Sequence, residues 1–302
     1  MAGQANSIRS ILFALGANLA IALAKLGGAV ATGSSAMLAE AIHSFADSGN
    51  QGLLLWGLSR AKRPPSDDYP LGHGKAIYFW SFIVALVLFM LGGVFSIYEG
   101  WHKLTDSEPL TYPWVAVGIL AFGVAAECVS LHGCLTEVNK VRHGRGLWQW
   151  FRESRQSELV VVLGEDIAAL LGLALALIAV LATMVSGEPR YDAMGSIAIG
   201  VVLVVVAIGI AVEIKGLLIG QSAEPNVEKA LREFLAQREE VAEVYRLLTL
   251  QLGASLMVSV KARMRESGSA ETMIASINRV ETAMRAAFPE IQWLFFEPDV
   301  KD

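Results

Sequence analysis

Charge is what this sequence has least of. Only 18% of its 302 residues are Asp, Glu, Lys or Arg, against 54% apolar ones, which excludes a soluble domain of ordinary make-up. The basic residues form no stripe with interleaved aromatics, so the formal charge of −5 comes with no nucleic-acid footprint. Cysteine is scarce too. Cys128 and Cys134 both sit inside one apolar segment and read as small core residues rather than a disulfide framework. No HExxH or comparable hydrolase motif occurs. After Met1 to Arg9, the apolar segment from about Ser10 to Ala31 is longer than a signal-peptide core and lacks a clear small-residue cleavage site, and no Ser/Arg-rich amphipathic extension occurs, so the expectation is a retained first span and a bacterial inner membrane.

Long apolar runs fill residues 10 to 220, and ordinary charge density returns after Gln221. The expected division is a membrane domain over 1–220 and a soluble domain over 221–302. A hydrocarbon core of about 30 Å takes roughly 20 apolar residues of helix. Six windows have that length: 10–31, 36–58, 77–98, 113–135, 159–185 and 193–218. Turn chemistry separates them, at Thr32-Gly33-Ser34-Ser35, Pro64-Pro65 with Asp67-Asp68, Asp106 to Pro109, Gly144 to Gly146, and Gly187-Glu188-Pro189. With alternating loops, Arg9, Arg60, Lys62, Arg63, Lys75, Lys140, Arg142, Arg145, Arg152, Arg155 and Lys215 fall on one side, and only Lys103 and Arg190 on the other. The crowded side is expected to be the cytosol, with both termini inside.

The tail predicts helix, strand, strand, helix, strand. Helical spacing runs over Asn226–Ala236 and again over Ala270–Ala287. Val244–Leu252 and Ser255–Met264 predict strands turning at Gly253-Ala254, and Ile291–Phe296 predicts a third. This αββαβ order, ferredoxin-like in kind, implies an open-faced sheet with two helices on one side.

An ionisable residue in mid-span costs on the order of 2.5 to 3.5 kcal/mol on insertion scales, so each calls for a partner or a purpose. Glu40, His43 and Asp47 fall at i, i+3 and i+7 of the second span, one stripe of a helix that Asn50 continues. On the fifth, Glu165 and Asp166 interrupt a run of Leu, Val and Ala among the small residues Gly164, Ala168, Ala169 and Gly172, which allow close helix approach. Antiparallel packing of these two spans puts Asp47 and Asp166 at similar depth. An imidazole with two or three carboxylates suits zinc, with manganese, iron, cobalt and cadmium tolerated. The alternative for His43 taken alone is a histidine hydrogen-bonded within the bundle. Asn18 and Lys25 on the first span, and Glu127 and His132 on the fourth, either line a path or serve packing and snorkelling.

The stretch Gly33 to Gln51, with its His43-x-x-x-Asp47 motif, resembles the second helix of the cation diffusion facilitator family. Tyr69-Pro70-Leu71-Gly72-His73-Gly74-Lys75 is similar to that family's Gly-His-Gly-Lys loop, and Tyr191-Asp192-Ala193 together with Leu217 to Gln221 resemble its sixth helix and exit. Leu163-Gly164-Glu165-Asp166 points to the branch that includes zinc transporter 9. The resemblance covers nearly the whole chain. It implies a homodimeric antiporter in the bilayer that exports a divalent metal from the cytosol in exchange for protons, using His43, Asp47 and Asp166 as ligands.

This sequence departs from the family pattern at Val162, which stands where many members have another fifth-helix ligand. Glu165 is then a candidate fourth ligand, although adjacent helical positions point about 100° apart and both acids reaching one ion requires distortion or water. Glu40, Asn50, His73 and Glu127 are accessory candidates. Tyr69 replaces a histidine found near the loop in some relatives, and His73 has a helix-start or loop role as its alternative. The tail has no His or Cys, which argues against a metal sensor there and for a dimer element. Two other classes remain open: a divalent-metal channel or sensing scaffold, and an intramembrane zinc metalloenzyme, which needs a positioned general base and an open coordination position.

Overall fold

A computed structural model describes residues 18–105, 109–265 and 268–301. Arg9, the first part of the expected first span (10–17) and the expected turn at Asp106 to Glu108 lie outside them. The chain packs as two compact units. One holds the described residues up to Trp56, with Trp80–Arg145 and Glu158–Glu213; the other holds Gly57–Phe79, Gly146–Ser157 and the chain from Ile214 onward.

The membrane helices are α1 (Asn18–Thr32), α2 (Ser35–Ala61), α3 (Ala76–Val87), α4 (Phe95–Thr105), α5 (Pro113–Val141), α7 (Ser157–Ser186) and α8 (Arg190–Ile219). α3 and α4 are one continuous span, Ala76–Thr105, joined by a π-helical segment at Leu88–Val94. Among the described residues, four spans are long and apolar enough to cross a bilayer: Ala76–Thr105, Pro113–Val141, Ser157–Ser186 and Arg190–Ile219. α2 has the length, at 27 residues, but its polar stripe dilutes its hydropathy. α1 is apolar over the stretch described. α6 (Leu147–Glu153) is a helix that the sequence did not announce, because seven residues are too few to establish a period.

The turns sit where Gly allows them. Gly33 and Gly187 take φ of 71° and 74°, and each returns its N–H to the carbonyl four residues earlier, at 2.9 and 2.8 Å, the left-handed stop that only glycine makes at no steric cost. Small residues also set helix separation. A Cβ on Gly164 of α7 would lie 2.6 Å from Ile210 Cδ1 of α8, and one on Gly200 of α8 would lie 2.6 Å from the Gly93 carbonyl in the π-helical segment.

The first turn of α2 leaves backbone donors that its own helix cannot satisfy. Asp192, at the start of α8, supplies the acceptor. Its Oδ2 accepts from the Ser35 N–H at 2.5 Å, the Ser35 hydroxyl at 2.8 Å and the Ala36 N–H at 3.4 Å, and its Oδ1 accepts from the Ser34 hydroxyl at 2.5 Å. A carboxylate at a helix N-terminus also favours the helix dipole, and burial of Ser34, Ser35 and Asp192 keeps water from substituting for it.

In the second unit, α9 (Pro225–Ala236), β1 (Val241–Leu252), β2 (Ser255–Met264), α10 (Ala270–Ala287) and β3 (Ile291–Pro298) follow the expected αββαβ order. The sheet runs β1-β2-β3, antiparallel then parallel. Leu256, Val258, Val260 and Ala262 alternate along β2 into one core with Leu231 and Leu235 of α9 and Val280 and Met284 of α10, so both helices cover one face. The other face is open, with Leu248 and Phe295 exposed. β1 begins three residues before the expected Val244. Register shifts at Val241/Glu243 and Val244/Arg246 break the alternation there, as a bulge does. At the β1–β2 turn, the Gly253 N–H donates to the Tyr78 hydroxyl at 3.0 Å, and a Cβ on Gly74 would collide with the Leu252 carbonyl. The Gly-His-Gly-Lys loop is therefore seated on this hairpin.

The cap predicts a stability phenotype. Asp192→Ala should destabilise the detergent-solubilised protein by about 2 kcal/mol, the cost of a lost helix cap with buried donors left unpaired, and Asp192→Asn by less. Thermal unfolding followed by tryptophan fluorescence measures both; equal stability of Asp192→Ala and wild type would refute the cap.

Candidate metal centre

The i, i+3, i+7 spacing of Glu40, His43 and Asp47 turns all three to the protein side of α2, with Glu40, His43 and Asn50 fully buried. His43 Nδ1 lies 3.4 Å from Asp47 Oδ1, one helical turn on. That separation makes no aligned hydrogen bond, and both imidazole nitrogens and Asp47 Oδ1 are without a hydrogen-bond partner. Beside the ring runs the π-helical segment. A Cβ on Gly92 would come within 3.9 Å of His43 Nδ1, and the Ser96 hydroxyl donates to the Gly92 carbonyl at 2.5 Å. Such segments widen a helix by one residue per turn and recur at functional sites.

The acids of α7 are held singly by neutral partners. Asn50 Nδ2 donates to Glu165 Oε1 at 2.6 Å, and the Ser130 hydroxyl of α5 donates to Asp166 Oδ1 at 3.2 Å. Asp166 Oδ2 and Asn50 Oδ1 are buried without partners. Asp47, Glu127, Glu165 and Asp166 line one pocket of about 530 Å³, counted with the space at its mouth, together with Asn18, Ser44, Ser130 and Val162. The expected meeting of α2 and α7 at one depth thus appears as a shared pocket wall. Val162, the departure from the family pattern, is part of that wall and brings no donor.

Not every candidate converges. Among the described residues, no three His, Cys, Asp or Glu side chains are arranged to hold one ion. Glu40 does not line the pocket; it pairs with Lys25 at 3.2 Å. His73 belongs to the second unit, where its ring lies 4.4 Å from that of Tyr69 and its carbonyl accepts from the Ala76 N–H at 2.8 Å as α3 begins. His132 is exposed on α5. Both cysteines are free, Cys134 buried and Cys128 exposed.

Two participants were weakly marked in the sequence. Lys25 stood among residues equally open to snorkelling, yet it is fully buried and bonded to Glu40 and Ser44. Ser130 gave no signal beyond being a hydroxyl in an apolar span.

The arrangement offers a divalent cation hard oxygen donors and one borderline nitrogen, several with unused lone pairs in a low-dielectric interior. Unpaired buried acceptors of this kind are costly unless something answers them. That donor set fits zinc and its first-row neighbours.

Comparison with known proteins agrees. The mitochondrial proton-coupled zinc antiporter SLC30A9 of Xenopus laevis is 34% identical over 233 residues, 76% of this chain and 42% of that protein. Its counterpart in Homo sapiens is 32% identical over 224 residues, 74% and 39% respectively, and metal tolerance protein C4 of Arabidopsis thaliana is 31% identical over 242 residues, 80% and 53%. The chain spans about two fifths of the length of these antiporters. The signature of the cation efflux transmembrane domain matches residues 11–219, more than two thirds of the sequence and the whole set of membrane helices described above. With its apolar spans and this match, the chain is an integral membrane protein that belongs to the cation efflux family, the cation diffusion facilitators.

Proposed function

We propose that this protein is a secondary transporter that carries a divalent metal cation, zinc first, out of the cytosol in exchange for protons. The observation that carries this reading is a set of buried, unpartnered donor atoms: Asp47 Oδ1 and Asp166 Oδ2, whose residues line one pocket in the helix bundle, and His43 Nδ1 and Nε2, one turn before Asp47 on α2 and outside the pocket lining. His43, Asp47 and Asp166 are the assigned ligands, Glu165 the fourth, with Asn50 and Glu127 accessory. Relatives named as proton-coupled zinc antiporters support the same ion and the same coupling. Iron, manganese, cobalt and cadmium are the competing ions by donor chemistry.

Coupling to protons follows from the donors themselves. A metal binds neutral imidazole and ionised carboxylate, so protons and metal compete for the same atoms. Alternating access then exposes the pocket to one side at a time. Asp166 can offer its unpartnered Oδ2 while Oδ1 stays on Ser130, and Glu165 is held by Asn50 through one oxygen and a single hydrogen bond. The Lys and Arg bias of the loops supports cytosolic termini. The open sheet face of the tail, with Leu248 and Phe295, supports a homodimer formed partly by the soluble domains 221–302.

In vesicles with a pH gradient and an internal zinc indicator, wild-type uptake should be saturable and gradient-driven. Asp47→Ala and Asp166→Ala should each lower it roughly 100-fold, the upper range for disturbed metal sites, with size-exclusion profiles unchanged. Uptake indifferent to the gradient would remove the exchange.

Raising the pH on the loading side should lower the zinc concentration needed for half-maximal uptake, because each ligand then sheds its proton without help from the metal. In calorimetric titration against a metal panel, His43→Asp should weaken zinc relative to manganese, since the substitution replaces the nitrogen donor with oxygen; an unaltered preference would remove His43 from the ligand set.

A further inference from the structure

The carrier cycle as described leaves Lys25 without a task. Its ammonium donates to the Ser44 hydroxyl at 2.7 Å and to Glu40 Oε2 at 3.2 Å, with both charged side chains fully buried. Lysines in membrane helices ordinarily extend toward the headgroups. This one is held inward, and the neighbouring helices are cut to fit it. A Cβ on Gly172 of α7 would collide with Glu40 Oε1, and a Cβ on Gly123 of α5 would lie 3.4 Å from Lys25 Cε and 3.0 Å from Leu173 Cδ2. Four helices therefore close around one ion pair.

The pair stands at one end of the pocket. On every helix the pocket-lining residues come on the same side of it: Asn18 before Lys25 on α1, Asp47 after Glu40 on α2, Glu127 after Gly123 on α5, Asp166 before Gly172 on α7. On the other side lies the end of the bundle where the Thr111 N–H meets the Thr32 carbonyl and Asp192 caps α2, reached through the fully buried apolar side chains Met37, Leu120 and Leu173. Ser44 joins the two features, since it lines the pocket and accepts from Lys25.

We propose that the Lys25 ammonium is a tethered counter-cation: it fills a cation position at the closed end of the pocket, keeps Glu40 out of the set that grips the transported metal, and so sets how tightly that metal is held. This rests on the carrier reading above. Lys25 answers only one Glu40 oxygen; Oε1 is buried with no partner. A carboxylate with a free oxygen, on the same stripe as His43 and Asp47, is a ready ligand for a divalent ion once the lysine is removed. Metal bound by that extra acid is held harder and released more slowly, whereas an ammonium with no acid beside it repels the metal. Lys25 is accordingly a positioning residue for transport.

The opposite signs make the test. Full-length protein in vesicles is assayed for zinc uptake against zinc concentration. Lys25→Met should lower KM about tenfold and lower the maximal rate with it, while Glu40→Gln should raise KM about tenfold. The double variant should return KM to near the wild-type value, and Lys25→Arg should keep it. A purely structural pair would reduce the rate in both single variants without moving KM in opposite directions, and that result, or KM shifts of one sign, overturns the proposal. Where Lys25→Met does not purify as a monodisperse protein, the comparison of Glu40→Gln with the double variant decides, because they differ only at Lys25 and KM must fall between them. Wild-type vesicles without saturable zinc uptake would sink the carrier reading and this assignment with it; saturable wild-type uptake with unmoved KM in the variants sinks this assignment alone.

Discussion

A charged group inside a bilayer-spanning helix must be answered by the protein or by its cargo, and this requirement organises the bundle around α2. Water cannot supply the answer at that depth, so acids on the stripe and facing it recruit protein partners where they can. Glu40 takes Lys25, Glu165 takes Asn50 and Asp166 takes Ser130. His43 and Asp47 take one another only at 3.4 Å and keep unused donor atoms. Helix positions follow from these pairings: Gly172 and Gly123 leave the room that the Lys25–Glu40 pair fills, and Gly93 and Gly200 bring the π-helical segment against α8 beside the imidazole. Asp192 does the same at the helix end, where its carboxylate fixes the start of α2 and hence the height of the whole stripe.

Most of the architecture was legible because it rests on long-wavelength signals. A run of some twenty apolar residues or a three-strand alternation survives any local accident. The four long spans, the turn glycines Gly33 and Gly187 and the αββαβ tail therefore emerged from pattern alone. The start of β1 did not, since its register shifts scramble the alternation that marks a strand, and α6 is shorter than a recognisable period. The π-helical segment was equally hidden: one residue more per turn changes no composition, and its sequence, Leu88 to Val94, is ordinary span material.

At the site, the stripe on α2 and the acid pair on α7 were legible because a charge in an apolar run is conspicuous. Their partners were not. Lys25 was visible as a residue but not as a partner, since a lysine seven residues from a helix end can equally reach the headgroups, and only the glycine gaps on α5 and α7, three-dimensional facts, settle which way it turns. Ser130 is unremarkable in sequence and acquires meaning only from the carboxylate opposite, and Asn50, visible as part of the stripe, gains its specific partner only in the fold. Asp47 and Asp166 line one pocket, while the grouping of three donors on one point is not seen among the described residues.

That last difference has a physical basis. Carboxylates brought within a few ångströms in a low-dielectric interior repel strongly, by several kcal/mol at an effective dielectric of about 20, and nothing in the helices alone repays that. Held apart, Glu165 and Asp166 each keep one neutral hydrogen bond that is cheap to break, of order 1 kcal/mol net. A divalent cation reverses the balance, turning mutual repulsion into shared attraction, so the ion itself supplies the drive to close the site. On the carrier reading this is also why the ion can leave. Donors that were rigidly assembled would bind tightly and release slowly, whereas donors with a nearby alternative partner, Ser130 for Asp166 and Asn50 for Glu165, lower the cost of letting go.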